Sequence, residues 1–190
     1  MLQISEIVRK TEEMFDLFNE HFYEGELSRP AITVSPDGGR GAYGWCSINE
    51  IWNASGEKYR EITLCAEYLD RPIFELAATL LHEMAHLYNL VHGIQDVSNN
   101  GYYHNQKFKA TAEAHGLHIE KHAKYGWTQR RWPRRRRHGS EKLWARIKST
   151  PAACRWKAPP RAEVRNPLTA ASNMSAPAAA PLFGQRGRSM

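Results

Sequence analysis

The stretch LLHEMAHLYNLVHG, residues 81–94, places three histidines and one glutamate in a largely apolar segment. Apolar residues recur here at helical spacing, which predicts a well-buried helix that opens at Arg71-Pro72 and ends near Gly93. His82 and His86 are four positions apart, so they project from one face of such a helix, one turn apart. The segment therefore predicts a helix that presents two imidazoles at one point.

Glu83 follows the first histidine and completes the pattern HExxH. In this pattern two imidazoles bind one zinc ion, the metal lowers the pKa of its water to about 7, and the glutamate is the general base. Three ionisable groups are costly to bury on a helix with a wide apolar face unless a partner compensates them, and a metal ion is such a partner. The alternative is a core helix whose histidines only form hydrogen bonds.

A catalytic zinc ion needs a third protein ligand and one open position, and three residues are candidates. His92 completes HEMAHLYNLVH, the spacing of the metzincin pattern, but only if the helix breaks near Asn89. If the helix continues, His92 points roughly 240° away from His86 around the axis. Glu113 is the second candidate. His104, expected at the start of the last helix after a long loop, is the third and the one that geometry favours.

The rest of the front of the chain predicts an α+β fold. Residues 4–24 have the apolar spacing of an amphipathic N-terminal helix. Three β-rich runs, at 31–36, 42–52 and 61–69, predict a small three-stranded sheet. Residues 104–115 predict a helix that follows the HExxH helix.

Charge divides the chain into two predicted regions, a domain over residues 1–128 and a tail over residues 129–190. The first holds 11 Lys+Arg and 18 Asp+Glu, giving −7, and the second holds 15 and 2, giving +13. The tail is rich in Arg, Pro and Ala, so it is expected to be largely disordered. Its RRWPRRRR segment, residues 130–137, predicts non-specific contact with DNA or RNA phosphates, with a basic tail of no specific role as the alternative.

Composition argues against several classes of protein. No apolar run approaches the roughly 18 residues of a membrane helix, so we expect no membrane partner. The start of the sequence lacks the pattern of a secretory signal. Three cysteines without a CxxC pair argue against a disulfide framework and against a cysteine-based zinc site. These observations predict a cytoplasmic protein.

Residues 79–117, TLLHEMAHLYNLVHGIQDVSNNGYYHNQKFKATAEAHGL, resemble the core of the SprT-like zinc metalloprotease domain, especially its bacterial and phage branch, which is related to the Spartan-type proteases. The segments AYGWCS, EITLCAEYLDRP and IEKHAKYGWT extend the resemblance over roughly residues 1–128. It implies a zincin-like α+β fold in which the active-site helix packs beside a small sheet.

The resemblance also implies the site and the activity. The histidine of the YHN segment is the family's third ligand, so the zinc ligands would be His82, His86 and His104, with Glu83 as general base. The expected function is a zinc-dependent endopeptidase with a protein or peptide substrate. Eukaryotic relatives cleave proteins crosslinked to DNA, which suggests DNA-associated substrates. Relatives often carry a zinc ribbon after the protease core, and the tail departs from this because it holds only Cys154.

Two further points stay open at the level of sequence. Tyr102 or Tyr103 could donate a hydrogen bond to an oxyanion, although packing aromatics are commoner. Asp96 or Glu113 could orient a zinc-bound imidazole. The alternative function is a non-catalytic, zinc-stabilised module that binds nucleic acid or regulates a partner.

Overall fold

The computed structural model describes residues 3–39, 41–99, 101–129 and residue 145 of the 190-residue chain. Within these residues three helices and nine short strands form a mixed α+β fold, as the sequence predicts. The elements are α1 (Ile4–Phe22), β1 (Ala31–Ser35), β2 (Gly44–Cys46), β3 (Trp52–Ala54), β4 (Glu57–Tyr59), β5 (Glu61–Cys65), a 3-10 turn (Ala66–Tyr68), α2 (Ile73–Val91), β6 (Val97–Ser98), β7 (Tyr103–His104), α3 (Gln106–Ala114), β8 (Ile119–His122) and β9 (Gly126–Gln129).

The first sheet has the strand order β1-β5-β2, with β1 parallel and β2 antiparallel to the central strand β5. The prediction of one strand over residues 42–52 is wrong, because β2 ends at Cys46 and β3 forms a separate hairpin with β4. The side chain of Ser47 ends the ladder. Its hydroxyl accepts from the Glu61 N–H at 2.7 Å and donates to the Asn49 carbonyl at 2.8 Å, which turns the chain away from β5.

A second sheet, with strand order β6-β7-β9-β8, was not expected from the sequence. His104 lies in its strand β7, so the prediction that the last helix begins at His104 is wrong. The cause is Asn105, the N-cap of α3, whose side chain accepts from the N–H groups of Lys107 and Phe108 at 2.8 and 3.3 Å. An N-cap residue has extended backbone, so the helix begins at Gln106, the residue after Asn105.

The hydrophobic core lies where α1 and α2 pack against each other and against the first sheet. The apolar stripe of α1 is buried from Ile7 to Phe18, whereas Ile4 at its start is exposed, and the broader apolar face of α2 is almost fully enclosed. Fully buried members of this core include Phe15, Phe18, Ile62, Leu80, Leu81 and Met84. Burying each such side chain contributes about 1.5–3 kcal/mol of hydrophobic free energy, so α2 is fixed firmly in place.

Helix α2 runs without a break from Ile73 to Val91, and His92 is its C-cap residue. Gly93 follows with φ +64°, a left-handed conformation that ends the helix, as the sequence predicts. Because the helix does not turn near Asn89, His92 cannot return to the face that carries His86. Among the described residues, no helix combines the length and the apolar character needed to cross a bilayer.

Candidate metal centre

Three imidazoles from two elements meet at one point. His82 and His86 project from one face of α2, and His104 comes from β7. The Nε2 atom of His86 lies 3.2 Å from Nε2 of His82 and 3.1 Å from Nε2 of His104. A tetrahedral ion with bonds of about 2.0–2.1 Å to nitrogen places two such atoms about 3.3 Å apart. The three side chains that the sequence singles out thus have the spacing of a metal-binding group.

The other nitrogen of two of these rings faces an acceptor, which fixes the tautomer. His86 Nδ1 lies 2.7 Å from Oδ2 of Asp96, and His104 Nδ1 lies 3.3 Å from the carbonyl oxygen of Tyr125. Both Nδ1 atoms are therefore donors, and both Nε2 atoms present lone pairs. Two lone pairs that face each other at 3.1 Å repel, and a cation between them removes the repulsion. The donor set therefore fits a metal ion.

Asp96 belongs to a buried network that holds the His86 ring in place. Its Oδ2 also accepts from Nδ2 of Asn89 at 2.9 Å, and the side-chain Oδ1 of Asn89 accepts from the Thr111 hydroxyl at 2.7 Å. The backbone carbonyl of Asp96 accepts from the N–H of Asn105. Hydrogen bonds of this kind orient a ligand ring and raise its basicity. Of the two carboxylates that the sequence offers for this role, the structure places Asp96 against the ligand.

Local geometry around β7 holds His104 at the site. Its N–H donates to the Tyr125 carbonyl at 3.0 Å, and it pairs with Gly126 on the parallel strand β9. Gly126 has φ +76°, and a Cβ added there would lie 2.2 Å from the His104 carbonyl oxygen. Only glycine allows this approach of the two strands. The IEKHAKYGWT segment thus contributes to the site through the backbone of β9.

Phe108 forms an apolar wall that all three imidazoles contact, and sequence reasoning missed it. It is fully buried, and its ring centre lies 4.7 Å from those of His82 and His86 and 4.4 Å from that of His104. No spacing rule relates it to the ligands, because His104 lies in β7 and Phe108 lies in α3. Such a wall excludes water from one side of the rings and limits their rotation.

Glu83 lies beside the imidazole cluster and is only 5% exposed. Burial raises the pKa of its carboxyl to about 7, against smaller opposing effects from His86 and from the Cys46 N–H, which donates to it. Close contact between α2 and β2 causes this burial. A Cβ added to Gly44 would lie 2.6 Å from the Thr63 carbonyl oxygen and 3.6 Å from Cγ of Glu83.

The electrostatics of the cluster favour neutral imidazoles at His82 and His104. Burial, followed by the proximity of His86 and His104, lowers the pKa of His82 well below its usual value. Burial and then His86 lower the pKa of His104 to about 4. Burial alone would raise the pKa of Asp96, but hydrogen bonds and charge from His86, with the Asn89 hydrogen bond, lower it. Neutral imidazoles at His82 and His104 and an ionised carboxylate at Asp96 are protonation states that suit a metal ion.

The other candidate ligands lie elsewhere. Nε2 of His92 lies 2.7 Å from Oε1 of Glu26, and Glu113 forms an ion pair with Lys109 at 3.1 Å. Among the residues that the structure describes, the only group with metal-ligand geometry is the one formed by the two histidines of α2 and the histidine of β7. Neither His92 nor Glu113 belongs to it.

The two tyrosines next to His104 differ in their surroundings. Tyr102 is 75% exposed, whereas the Tyr103 ring packs over the backbone of Gly126. Tyr103 is thus a packing aromatic. The predicted basic tail, including the RRWPRRRR segment, lies outside the described residues except at residues 129 and 145.

Comparisons with known proteins give one match, to a family model. No curated protein and no solved structure matches the chain. A family model does match, that of the SprT-like family, over residues 11–138, which include every strand, helices α2 and α3, and α1 except for its first two turns. This family is generally associated with metalloprotease-like activity. Because the match covers well over half of the sequence, the chain belongs to the SprT-like family.

Proposed function

We propose that this protein is a zinc-dependent endopeptidase, with zinc held by His82, His86 and His104 and with Glu83 as the general base. The observation that carries the proposal is the convergence of three Nε2 atoms beside a buried carboxyl group. Three imidazole donors suit zinc, and three protein ligands leave one coordination position for water or substrate, as catalytic sites require.

Bound zinc would supply a Lewis acid that polarises a peptide carbonyl and acidifies a water molecule. Glu83 accepts a proton from the attacking water as the new C–O bond forms. It then donates this proton to the amide nitrogen as the C–N bond breaks. The products are a carboxylic acid and an amine, and transfer of the remaining water proton makes them a carboxylate and an ammonium group. Burial raises the pKa of Glu83 to about 7 in the metal-free protein. Bound zinc would lower it, so the carboxyl would be ionised at neutral pH and able to accept the proton.

The neighbours of Glu83 support this role. The Cys46 N–H holds the carboxylate from the β2 side, and the close packing at Gly44 keeps bulk water away. The Glu83 carboxylate is therefore held in one position and poorly solvated. Its electrostatic attraction for a proton of the attacking water is stronger there than it would be in bulk water.

The direct test combines zinc content with proteolysis. Purified Glu83→Gln protein should keep one zinc ion per chain, because the ligands are untouched, and should lose cleavage of an unfolded protein substrate. Wild-type cleavage should stop with a chelator and return with zinc. Cleavage by Glu83→Gln at the wild-type rate would contradict the mechanism. Zinc binding without chelator-sensitive cleavage by the wild type would favour the alternative, a non-catalytic zinc-stabilised module.

We also propose a protein substrate that is associated with nucleic acid in the cytoplasm, with the basic segment 130–137 as a non-specific contact. The support is its charge, since its six arginines follow a region of net charge −7. Electrostatic contact with phosphates weakens steeply with salt. Retention of the full chain on single-stranded DNA should therefore fall with added salt and with replacement of the six arginines by glutamine. Unchanged retention in that variant would contradict the role of the segment.

A further inference from the structure

Arg71 is a half-buried cation just before α2, and three contacts fix its orientation. Its Nε donates to the Tyr68 carbonyl oxygen at 2.9 Å, and its Nη2 donates to Oγ1 of Thr79 at 3.1 Å. Its guanidinium carbon lies 4.1 Å from the centre of the Tyr43 ring. These two hydrogen bonds use two of the five N–H donors, so the guanidinium is held in place while donors remain for another group.

Arg71 lies beside the contact between the edge strand β2 and α2. Glu83 belongs to the same contact. Thr79, its hydrogen-bond partner, precedes Glu83 by one helical turn, about 6 Å along the axis. A Cβ added to Gly44 would lie 3.3 Å from Cγ2 of Thr79 and 3.6 Å from Cγ of Glu83. The contacts therefore connect the guanidinium to the general base through one residue of α2.

The charge of Arg71 is compensated less than that of other arginines. Within the described part of the chain, Arg9, Arg29 and Arg60 each form an ion pair with a carboxylate, whereas Arg71 forms none. Burial lowers the pKa of Arg71, and the smaller opposing effects of Tyr43, Glu75 and Asp70 do not cancel this. A cation that is partly removed from water and has no carboxylate partner gains free energy when an anion binds to it.

We infer that Arg71 binds a carboxylate of the peptide substrate and gives the enzyme a preference for acidic peptides. The inference rests on the proposed endopeptidase function. Guanidinium binds carboxylate through parallel N–H···O bonds. The carboxylate comes either from a Glu or Asp side chain or from the C-terminus of the substrate.

A peptide series tests the preference with the zinc-loaded full chain. One Glu is moved through the four positions on each side of the cleaved bond, and each peptide is paired with its Gln counterpart. A second pair compares a free with an amidated C-terminus. We expect kcat/KM to rise about tenfold for the carboxylate at one position, the effect of one charge-assisted hydrogen bond. Whichever pair shows the rise identifies the source of the carboxylate, and no rise in any pair overturns the inference.

Variants connect the preference to Arg71 itself. Arg71→Gln should bring the ratio for the preferred pair to about one, and Arg71→Lys should keep part of it. Arg29→Gln removes the same charge from an exposed ion pair with Asp16 of α1 and should keep the full ratio. A purely structural role for Arg71 would change both members of each pair equally and leave their ratio unchanged. That result would overturn the inference.

Binding measurements separate this inference from the proposed function. Failure of the proposed function appears as no chelator-sensitive cleavage of any peptide. The same peptide pairs can be bound to full-length Glu83→Gln and followed by fluorescence anisotropy, which needs no cleavage. An about tenfold lower Kd for the carboxylate peptide, lost when Arg71→Gln is added, supports the inference. Equal Kd values with and without Arg71→Gln overturn it.

Discussion

Two histidine–carboxylate pairs on α2 have the same separation but different surroundings. His86 Nδ1 lies 2.7 Å from Asp96, and His92 Nε2 lies 2.7 Å from Glu26. The side chain of Asp96 is 6% exposed and that of Glu26 is 47% exposed. The free nitrogen of His86 faces two other imidazoles, whereas the His92 ring lies against Tyr88, with ring centres 4.1 Å apart.

This comparison teaches that a histidine–carboxylate pair does not by itself indicate a metal ligand. Both histidines belong to the same stretch of sequence, and both have a carboxylate that could fix the tautomer. The difference arises from helical phase, because six residues of unbroken helix turn His92 away from the face of His86. Convergence of the second ring nitrogen with other donors is the feature that distinguishes them.

The largest expected effect comes from the third ligand. His104→Ala should lower zinc affinity by more than about a hundredfold, because it removes a direct ligand. Mutating a residue that only hydrogen-bonds to a ligand already lowers metal affinity by about 10–100-fold. His92→Ala, the matched variant from the other pair, should keep one zinc ion per chain. Competition with a chromophoric chelator measures both affinities. Loss of zinc in His92→Ala alone would reverse the assignment.

The next effect concerns the stability of the metal-free protein. Glu83 keeps its proton in the fold up to pH about 7, against a usual pKa of 4.5, so its stabilising contribution is present below 4.5 and lost as the pH rises through 7. Glu83→Gln has no such loss. Its advantage in unfolding free energy over the wild type should therefore grow by about 2–3 kcal/mol between pH 5 and pH 8. Urea unfolding with chelator present measures this, and a constant difference would contradict it.

The sequence predicts the helical parts of the site better than the rest. Spacing alone places His82, Glu83 and His86, since the geometry of a helix is fixed by its hydrogen bonds. Spacing cannot place His104, because its position depends on pairing with β9, whose sequence partner is more than twenty residues away. Helix phase and the length of the loop favoured His104 over His92 as a candidate, and the resemblance to SprT-like proteins implied the same residue.

The carboxylate that orients a ligand histidine could likewise not be chosen from the sequence. Sequence left Asp96 and Glu113 equivalent as partners for a ligand, because both are acidic residues downstream of the helix. Their difference is tertiary, since Asp96 lies in the buried network with Asn89, whereas Glu113 pairs with the neighbouring Lys109 on α3. Residues that act through long-range packing therefore need the structure.

Asp96→Asn tests whether the carboxylate of the His86–Asp96 pair supports metal binding. An amide that donates to Nδ1 of His86 favours the wrong tautomer, with a hydrogen on the nitrogen that faces the metal. Zinc affinity should fall about 10–100-fold, as measured by chelator competition at neutral pH. Glu113→Gln is the control and should leave the affinity unchanged, because Glu113 contacts none of the three imidazoles. Equal effects of the two variants would remove Asp96 from the site.

The smallest expected effect is the loss of stability when the contact between His92 and Glu26 is removed. Glu26→Gln removes the carboxylate partner of His92 but leaves the aromatic contact between His92 and Tyr88. Because Glu26 is largely exposed, the ion pair should contribute at most about 1 kcal/mol to the free energy of unfolding at low salt, and less at high salt. Urea unfolding at two salt concentrations measures this, with zinc content as the second readout. A large loss of stability, or any loss of zinc, would show that the two pairs are coupled through α2 and that helical phase alone does not separate their roles.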